Sequence, residues 1–166
     1  ASGNVGKKTI EILEKSKISF KDLYLVASKK SAGRKIIFRE KEIEIENLEN
    51  YDFSKAQITI FAAGSDIAKD WAPKAAKKTI VIDNSSFFRM QKNIPLVVPE
   101  VNPEALDKHE NIIANPNCST VQMVLALKPL HDEYKIKRVI VSTYQAVSGA
   151  GKEAMDELFD QTKNFL

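Results

Sequence analysis

The sequence predicts an α/β fold built on a mostly parallel sheet, and three observations carry that expectation. Short β-branched and aromatic runs alternate with stretches of helical period. Strands separated by helices need crossover connections, which imply parallel pairing. A glycine-rich turn, Ala1-Ser2-Gly3-Asn4-Val5-Gly6, stands directly before a helical stretch, as at a strand-to-helix junction.

The elements follow in order. Val5 to Leu13 has helix-like spacing. Leu23-Tyr24-Leu25-Val26 reads as a buried strand, too short and too apolar for a surface helix. Ile36-Ile37-Phe38 and Ile43-Glu44-Ile45 flank a charged turn and predict a small hairpin over 35–45. Ile58-Thr59-Ile60-Phe61 and Thr79-Ile80-Val81-Ile82 predict two more strands. Between them Asp66 to Ala76 predicts a helix that Pro73 should kink or delay. Ile112-Ile113-Ala114 predicts the next strand. Cys118 to Tyr134 carries Val121, Val124, Leu125, Leu127 and Leu130 at amphipathic-helix spacing, with Pro129 expected to bend it or end it early. Arg138 to Tyr144 reads as a long strand. After Gly149-Ala150-Gly151, a last helix groups Ala154, Met155, Leu158 and Phe159 on one face. The boundary between two units is expected at Asn115, dividing 1–115 from 116–166. No strand precedes the glycine turn and the second unit is barely begun at Leu166, so both ends read as those of a fragment.

Composition narrows the function classes. A net charge of +3, with 25 Lys+Arg interspersed among 22 Asp+Glu, is too small to argue for nucleic acid. A hydrophobic share of 43% is too high for a disordered chain. The single cysteine excludes an intramolecular disulfide framework, and with only His109 and His131 beside it no metal cluster is expected. No apolar run approaches the ~20 residues that span a bilayer. The expected location is the cytoplasm.

The candidate chemistry lies at the turns. Gly3-x-x-Gly6 is either a tight turn whose glycines supply positive φ or a seat for a pyrophosphate at a helix N-terminus. Ser28, Lys29, Lys30 and Ser31 form the tip after the first strand run, with no acid among them. Hydroxyls and basic groups there suit the 2′-phosphate of NADP, whereas an acid suits NAD; the alternative is a solvated basic loop. Cys118, in Asn115-Pro116-Asn117-Cys118-Ser119-Thr120, falls at a helix start whose dipole and free N–H groups favour a thiolate and can hold an oxyanion. The alternative is an inert, small hydrophobe. Neither histidine suits as its base: His131 is several turns down the helix and His109 sits in a polar turn. Arg89, after Asp83-Asn84-Ser85-Ser86-Phe87-Phe88, is either a bidentate clamp for a phosphate or carboxylate or a surface arginine, its head expected to be exposed. Gln145, before Ser148-Gly149-Ala150-Gly151, either orients a substrate carbonyl or belongs to a simple β–α turn.

Taken together these segments, with Val98-Pro99-Glu100-Val101-Asn102, resemble aspartate-semialdehyde dehydrogenase, in order through almost the whole chain. The cysteine segment and Tyr144 to Gly151 are the specific ones. The resemblance implies a Rossmann-like NADP-binding domain with a mostly parallel sheet, followed by the beginning of an α+β catalytic/dimerisation domain. It implies reversible, NADP-dependent conversion of L-aspartate 4-semialdehyde and phosphate to L-aspartyl 4-phosphate through a cysteine acyl-thioester, toward lysine, methionine and threonine, in a homodimer or homotetramer. By the same resemblance Cys118 is the nucleophile, Gln145 orients the substrate, and Arg89 binds phosphate with Asn117 beside it. Ser2, Gly3, Asn4 and Val5 meet the pyrophosphate, Lys30 and Ser31 the 2′-phosphate, and Ser148 and Gly149 the nicotinamide end, with no metal. The family's arginine at the position of Lys30 is absent. Its histidine base is expected beyond Leu166, so residues 1–166 alone are expected to be inactive. Two rival readings stand: an N-acetylglutamyl-phosphate reductase, which carries glycine where Asn117 stands, and a non-catalytic nucleotide-binding module.

Overall fold

The computed structural model describes residues 1–165. Helix α1 spans Asn4–Lys15, with Gly3 as its N-cap at φ −77°. Neither Gly3 nor Gly6 takes a positive φ, so the turn needs glycine for another reason. A Cβ on Gly6 would lie 2.7 Å from the carbonyl oxygen of Ala1, so only glycine lets the chain's first residue pack against the helix. The Ala1 amine donates to the Val26 carbonyl at 2.8 Å, which seats that residue beside the next strand.

Strands β1 (Leu25–Ala27), β2 (Lys35–Phe38) and β3 (Lys41–Asn47) form one three-stranded sheet in the order β1-β3-β2. β1 and β3 run parallel, with Leu25 opposite Ile45; β2 and β3 are the expected hairpin, with Phe38 opposite Lys41. Its two-residue loop places Arg39 and Glu40 at φ 46° and 66°, the geometry that a tight hairpin demands and that L-residues other than Asn and Asp resist. The Arg39 guanidinium offsets that strain. It donates to the Leu13 and Ser16 carbonyls at the end of α1, and lies 5.2 Å from the ring centres of both Phe20 and Phe38. The hairpin is thereby tied to the helix.

Strands β4 (Ile58–Phe61), β5 (Ile80–Asp83) and β6 (Ile112–Ala114) make a second sheet, all parallel, in the order β4-β5-β6. The alternation of elements suggested a single open sheet. Two sheets result because no described strand bonds β1 to β4. Helix α2 (Ser65–Ala75) joins β4 to β5 and buries Ala68, Ala72 and Ala75 completely. It starts on time and runs through Pro73, whose position in the last turn costs one backbone bond without breaking the helix. Its small residues let Phe53, Phe61 and Phe88 pack as one core with Tyr51 and Val81. Val26 of β1 packs on this same core, and Ile10, Leu25, Phe38 and Ile45 form the other.

The remaining chain is thinly packed. Helix α3 (Cys118–Tyr134) has the expected bounds, and Pro129 does not end it. The Leu125 carbonyl that loses its donor there belongs to an exposed residue, which water can serve. α3 buries none of its residues, and Leu125 and Leu130 stay exposed. The long strand expected at Arg138 to Tyr144 is absent. A strand exists only through bonds to a neighbour, and among the described residues none pairs with this segment. Its apolar side chains are exposed, Ile140 at 87%. Helix α4 (Lys152–Phe165) closes the described chain.

Tyr51 offers a test of the larger core. It is 8% exposed and meets Phe53 edge-on at 5.2 Å. Burial, and then the charge of Glu46, push its phenol up to about 12. A phenol whose folded value lies above its unfolded one stabilises fully below the unfolded value of about 10 and is lost as pH rises toward 12. The denaturant midpoint should therefore fall between pH 10 and 12, and Tyr51→Phe should lessen that fall. Alkaline unfolding of the two proteins, followed by phenolate absorbance, checks it; identical slopes would overturn the assignment.

Candidate active site

The parallel register Phe61–Asp83–Ala114 ends three strands at one edge, where the chain turns into α2, the 84–89 loop and α3. Such an edge is where open α/β sheets take ligands. Asp83 organises the turn after β5. It is fully buried, its Oδ2 accepts from the Ser85 hydroxyl at 2.6 Å, and Ser85 Oγ accepts from the Phe87 N–H at 3.2 Å. The Asp83 Oδ1 atom is buried with no partner among the described residues. This folded-back turn returns Arg89 to the sheet edge.

Arg89 is half-buried rather than exposed. Its Nε–H donates to the Asn115 carbonyl at 3.0 Å and its Nη2 to the Asn84 carbonyl at 2.9 Å. These two carbonyls follow β5 and β6 immediately, where the ladder stops and acceptors need new donors. Nη1 makes no bond among the described residues, so the outer edge of the planar fork, Nη1 with an Nη2–H, suits a bidentate anion. A direct side-chain link crosses the same gap: Asn115 Nδ2 donates to Asn84 Oδ1 at 2.7 Å.

Three residues past Asn115 comes Cys118, exposed, at the first position of α3. The Asn117 side chain caps the helix by accepting from the Ser119 N–H at 3.0 Å, which leaves its NH₂ to donate elsewhere. Gln145 Nε2 sits 3.6 Å from the Cys118 sulfur. The backbone bends sharply behind that amide in a 3₁₀ turn, Val147–Ala150, containing Ser148 and Gly149. A Cβ on Gly149 would fall 2.3 Å from Gln145 Nε2, so glycine at 149 keeps room for the amide beside the sulfur. Cys118, Gln145, Asn117 and Gly149 are thus brought together, and Arg89 is moored to the same segment.

The cofactor candidates lie further along the edge. Gly3 and Gly64, the N-caps of α1 and α2, have no side-chain cap bond, so the first N–H groups of both helices are open to an anion. Asn4 Nδ2 approaches Met155 Sδ of α4 at 3.8 Å, which links the 2–5 turn to the segment that follows Ser148 and Gly149. Lys30 is exposed and Ser31 half-buried on the turn after β1, whose Ser28 carbonyl accepts from the N–H groups of Ser31 and Ala32. Glycine caps, an open helix end and this basic turn fit the phosphates of a dinucleotide.

His109 accepts the Asn111 N–H on Nδ1 at 3.1 Å, a local bond that stabilises Asn111 at φ 63°. His131 lies thirteen residues along α3 from Cys118, about 20 Å at 1.5 Å per residue. Among the described residues, four polar groups at the edge had no role in the sequence reading: Asn84, Asn115, and the hydroxyls of Ser65 and Ser86, which meet at 2.8 Å. All but Ser65 fall inside segments that stood out as polar turns, yet only the fold shows which side chains face each other.

Fold and site together define a nicotinamide-dinucleotide-binding α/β domain joined to a helix that opens on an exposed cysteine. Residues 1–109 match the semialdehyde dehydrogenase NAD binding domain, and residues 127–166 match the semialdehyde dehydrogenase dimerisation domain. The chain belongs to the semialdehyde dehydrogenase family. An aspartate-semialdehyde dehydrogenase of Shewanella violacea is 50% identical over 169 aligned positions, covering 100% of this chain and 50% of the relative. The structure of aspartate semialdehyde dehydrogenase II complexed with ASA from Vibrio cholerae superposes with a TM-score of 0.93 at 48% identity, over 98% of this chain and 49% of that one. A structure from Candida albicans, solved with NADP, gives a TM-score of 0.71 at 28% identity, over 81% of this chain and 46% of that one. The chain spans about half the length of the curated relatives it matches.

Replacing Arg89 with lysine keeps the charge and removes the fork that reaches two carbonyls. Each charge-assisted bond lost costs about 1.5–3 kcal/mol, less what the lysine ammonium recovers. Arg89→Lys is expected to lower the urea midpoint measurably, and an unchanged midpoint would mean that the two ties carry no weight.

Proposed function

We propose that this chain is the N-terminal half of an aspartate-semialdehyde dehydrogenase, converting L-aspartate 4-semialdehyde and inorganic phosphate reversibly to L-aspartyl 4-phosphate with NADP. The observation that carries the reading is the Gln145 amide 3.6 Å from the Cys118 sulfur at the start of α3, with Arg89 moored three residues upstream. Cys118 attacks the aldehyde carbon. Gln145 orients the substrate, and the N–H groups of Cys118 and Thr120, which the Asn117 cap leaves free in the first turn of α3, stabilise the oxyanion. The dinucleotide, when bound, supplies the hydride acceptor that converts the adduct on Cys118 into a thioester. Its pyrophosphate is held at Ser2, Gly3, Asn4 and Val5, and Ser148 and Gly149 line its nicotinamide end. The outer edge of Arg89, with the Asn117 NH₂ beside it, holds the phosphate whose oxygen then displaces the sulfur. Asn117, where an N-acetylglutamyl-phosphate reductase carries glycine, favours the aspartyl substrate.

The same reading divides the chain at 115/116 between cofactor-binding and catalytic/dimerisation units. It makes the whole protein a cytoplasmic homodimer or homotetramer serving lysine, methionine and threonine synthesis. A base is needed as well, since proton transfer is worth roughly 10²–10⁴-fold. His131 is about 20 Å from Cys118 along α3 and His109 is engaged by Asn111, so residues 1–166 alone should be inactive.

Two measurements test the proposal. Phosphate-dependent oxidation of the semialdehyde should read background for residues 1–166, should proceed in the whole protein, and should vanish there in Cys118→Ser. Turnover by residues 1–166 that depends on Cys118 would overturn the claim that no base lies within them. In cofactor titrations of the whole protein NADP should bind more tightly than NAD, because Lys30 and Ser31 face the 2′-phosphate and no carboxylate accepts a ribose hydroxyl. Equal affinities would remove that argument.

A further inference from the structure

Arg89 joins the phosphate-side loop to the cysteine-bearing segment through its bond to the Asn115 carbonyl, while its bond to the Asn84 carbonyl stays within the loop. A second side-chain link bypasses Arg89. Asn115 Nδ2 donates to Asn84 Oδ1 at 2.7 Å, joining the residue after β5 directly to the residue after β6. The Asn115 N–H meanwhile donates to the Asp83 carbonyl at 2.8 Å, and the buried Pro116 stiffens the two-residue path to the helix cap at Asn117. When an anion occupies the outer edge of the guanidinium, the Arg89 ties share their donor charge with it. Among the described residues, the amide pair is the side-chain tie between these segments that does not pass through Arg89.

We infer that the Asn115 side chain, clasped to Asn84, is a positioning residue that sets the distance between the phosphate held by Arg89 and the acyl group on Cys118. This rests on the phosphate and nucleophile roles proposed above. The step it governs is the transfer to phosphate. A phosphate oxygen attacks the thioester carbonyl carbon, the new C–O bond forms, the C–S bond breaks, and sulfur leaves with the electron pair as a thiolate. Phosphate and acyl group approach that step from two separate segments. Acylation draws on Cys118, Gln145, the helix end, the base and the dinucleotide, and needs no phosphate at Arg89. A displacement between the two halves therefore slows the second step and spares the first, and a shift near 1 Å suffices for a loss of up to about 10²-fold.

The experiment separates the steps in the whole protein. Acyl-Cys118 is formed from the semialdehyde and NADP without phosphate and followed by rapid-quench mass spectrometry; inorganic phosphate is then added and the adduct's decay is timed. In Asn115→Ala, adduct formation should match the parent within about twofold, while phosphate-dependent decay slows by about tenfold or more. Asn84→Ala, which opens the same clasp from the other side, should behave alike, and the double variant should be no slower than either single one. Equal decay in parent and both variants would overturn the inference, as would equal slowing of both steps, which marks a general loss of structure. Failure of the functional reading looks different: no adduct forms even in the parent, or its decay ignores phosphate. Should Asn115→Ala not fold, Asn84→Ala decides alone.

Discussion

The carbonyls of the residues just past β5 and β6 lie beyond the ladder, and one guanidinium answers both. That constraint organises the rest of the edge. Because the inner side of the Arg89 fork is committed to the Asn84 and Asn115 carbonyls, its charge is held in one plane beside the start of α3. Only the outer side is left to choose a ligand. A lysine could supply the charge but not the two-point geometry, since its ammonium has no fixed plane. Asp83 and Ser85 build the turn that makes this reach possible, at the cost of a buried oxygen without a partner among the described residues.

The cysteine end is assembled by a different economy of contacts. Asn117 caps α3 with its carbonyl oxygen, leaving the helix's first turn ordered and Cys118 exposed at its opening. Gln145 reaches the sulfur from 27 residues away, across a segment that pairs with no strand among the described residues. What keeps that amide in place locally is the space that Gly149 leaves for it. The cysteine environment is therefore specified by small residues and caps more than by a packed core. The cofactor end is different again: α1, which opens on Gly3, is anchored at its other end by Arg39, wedged between Phe20 and Phe38.

The contrast between the two halves has one cause. Residues before 115 bury apolar side chains against each other in two clusters, so their strands have partners and their helices have floors. Beyond 115, α3 buries nothing, and Val139, Ile140 and Val141 stand exposed beside Tyr144 at 102%. Apolar runs of that kind predict strands correctly only when a neighbouring strand is present to accept their backbone bonds.

Local pattern alone determined the element types and most of their bounds. β4, β6 and α3 fall where periodicity put them, and the hairpin over 35–45 follows from two apolar runs around a charged turn. The cysteine at a helix start and the polar turns at strand ends were equally legible, because caps and turns are short-range chemistry. Pro73 does not delay α2 and Pro129 does not end α3, since each costs only one bond where the helix is ending or open to water. Tertiary structure alone decided that the strands form two sheets, that the 138–144 run finds no partner among the described residues, and that Arg89 reaches back to two carbonyls. It also decided that Gln145 meets Cys118 and that Asn115 meets Asn84. Each of those depends on which distant backbone groups and side chains arrive at the same place, and spacing along a chain holds no record of that.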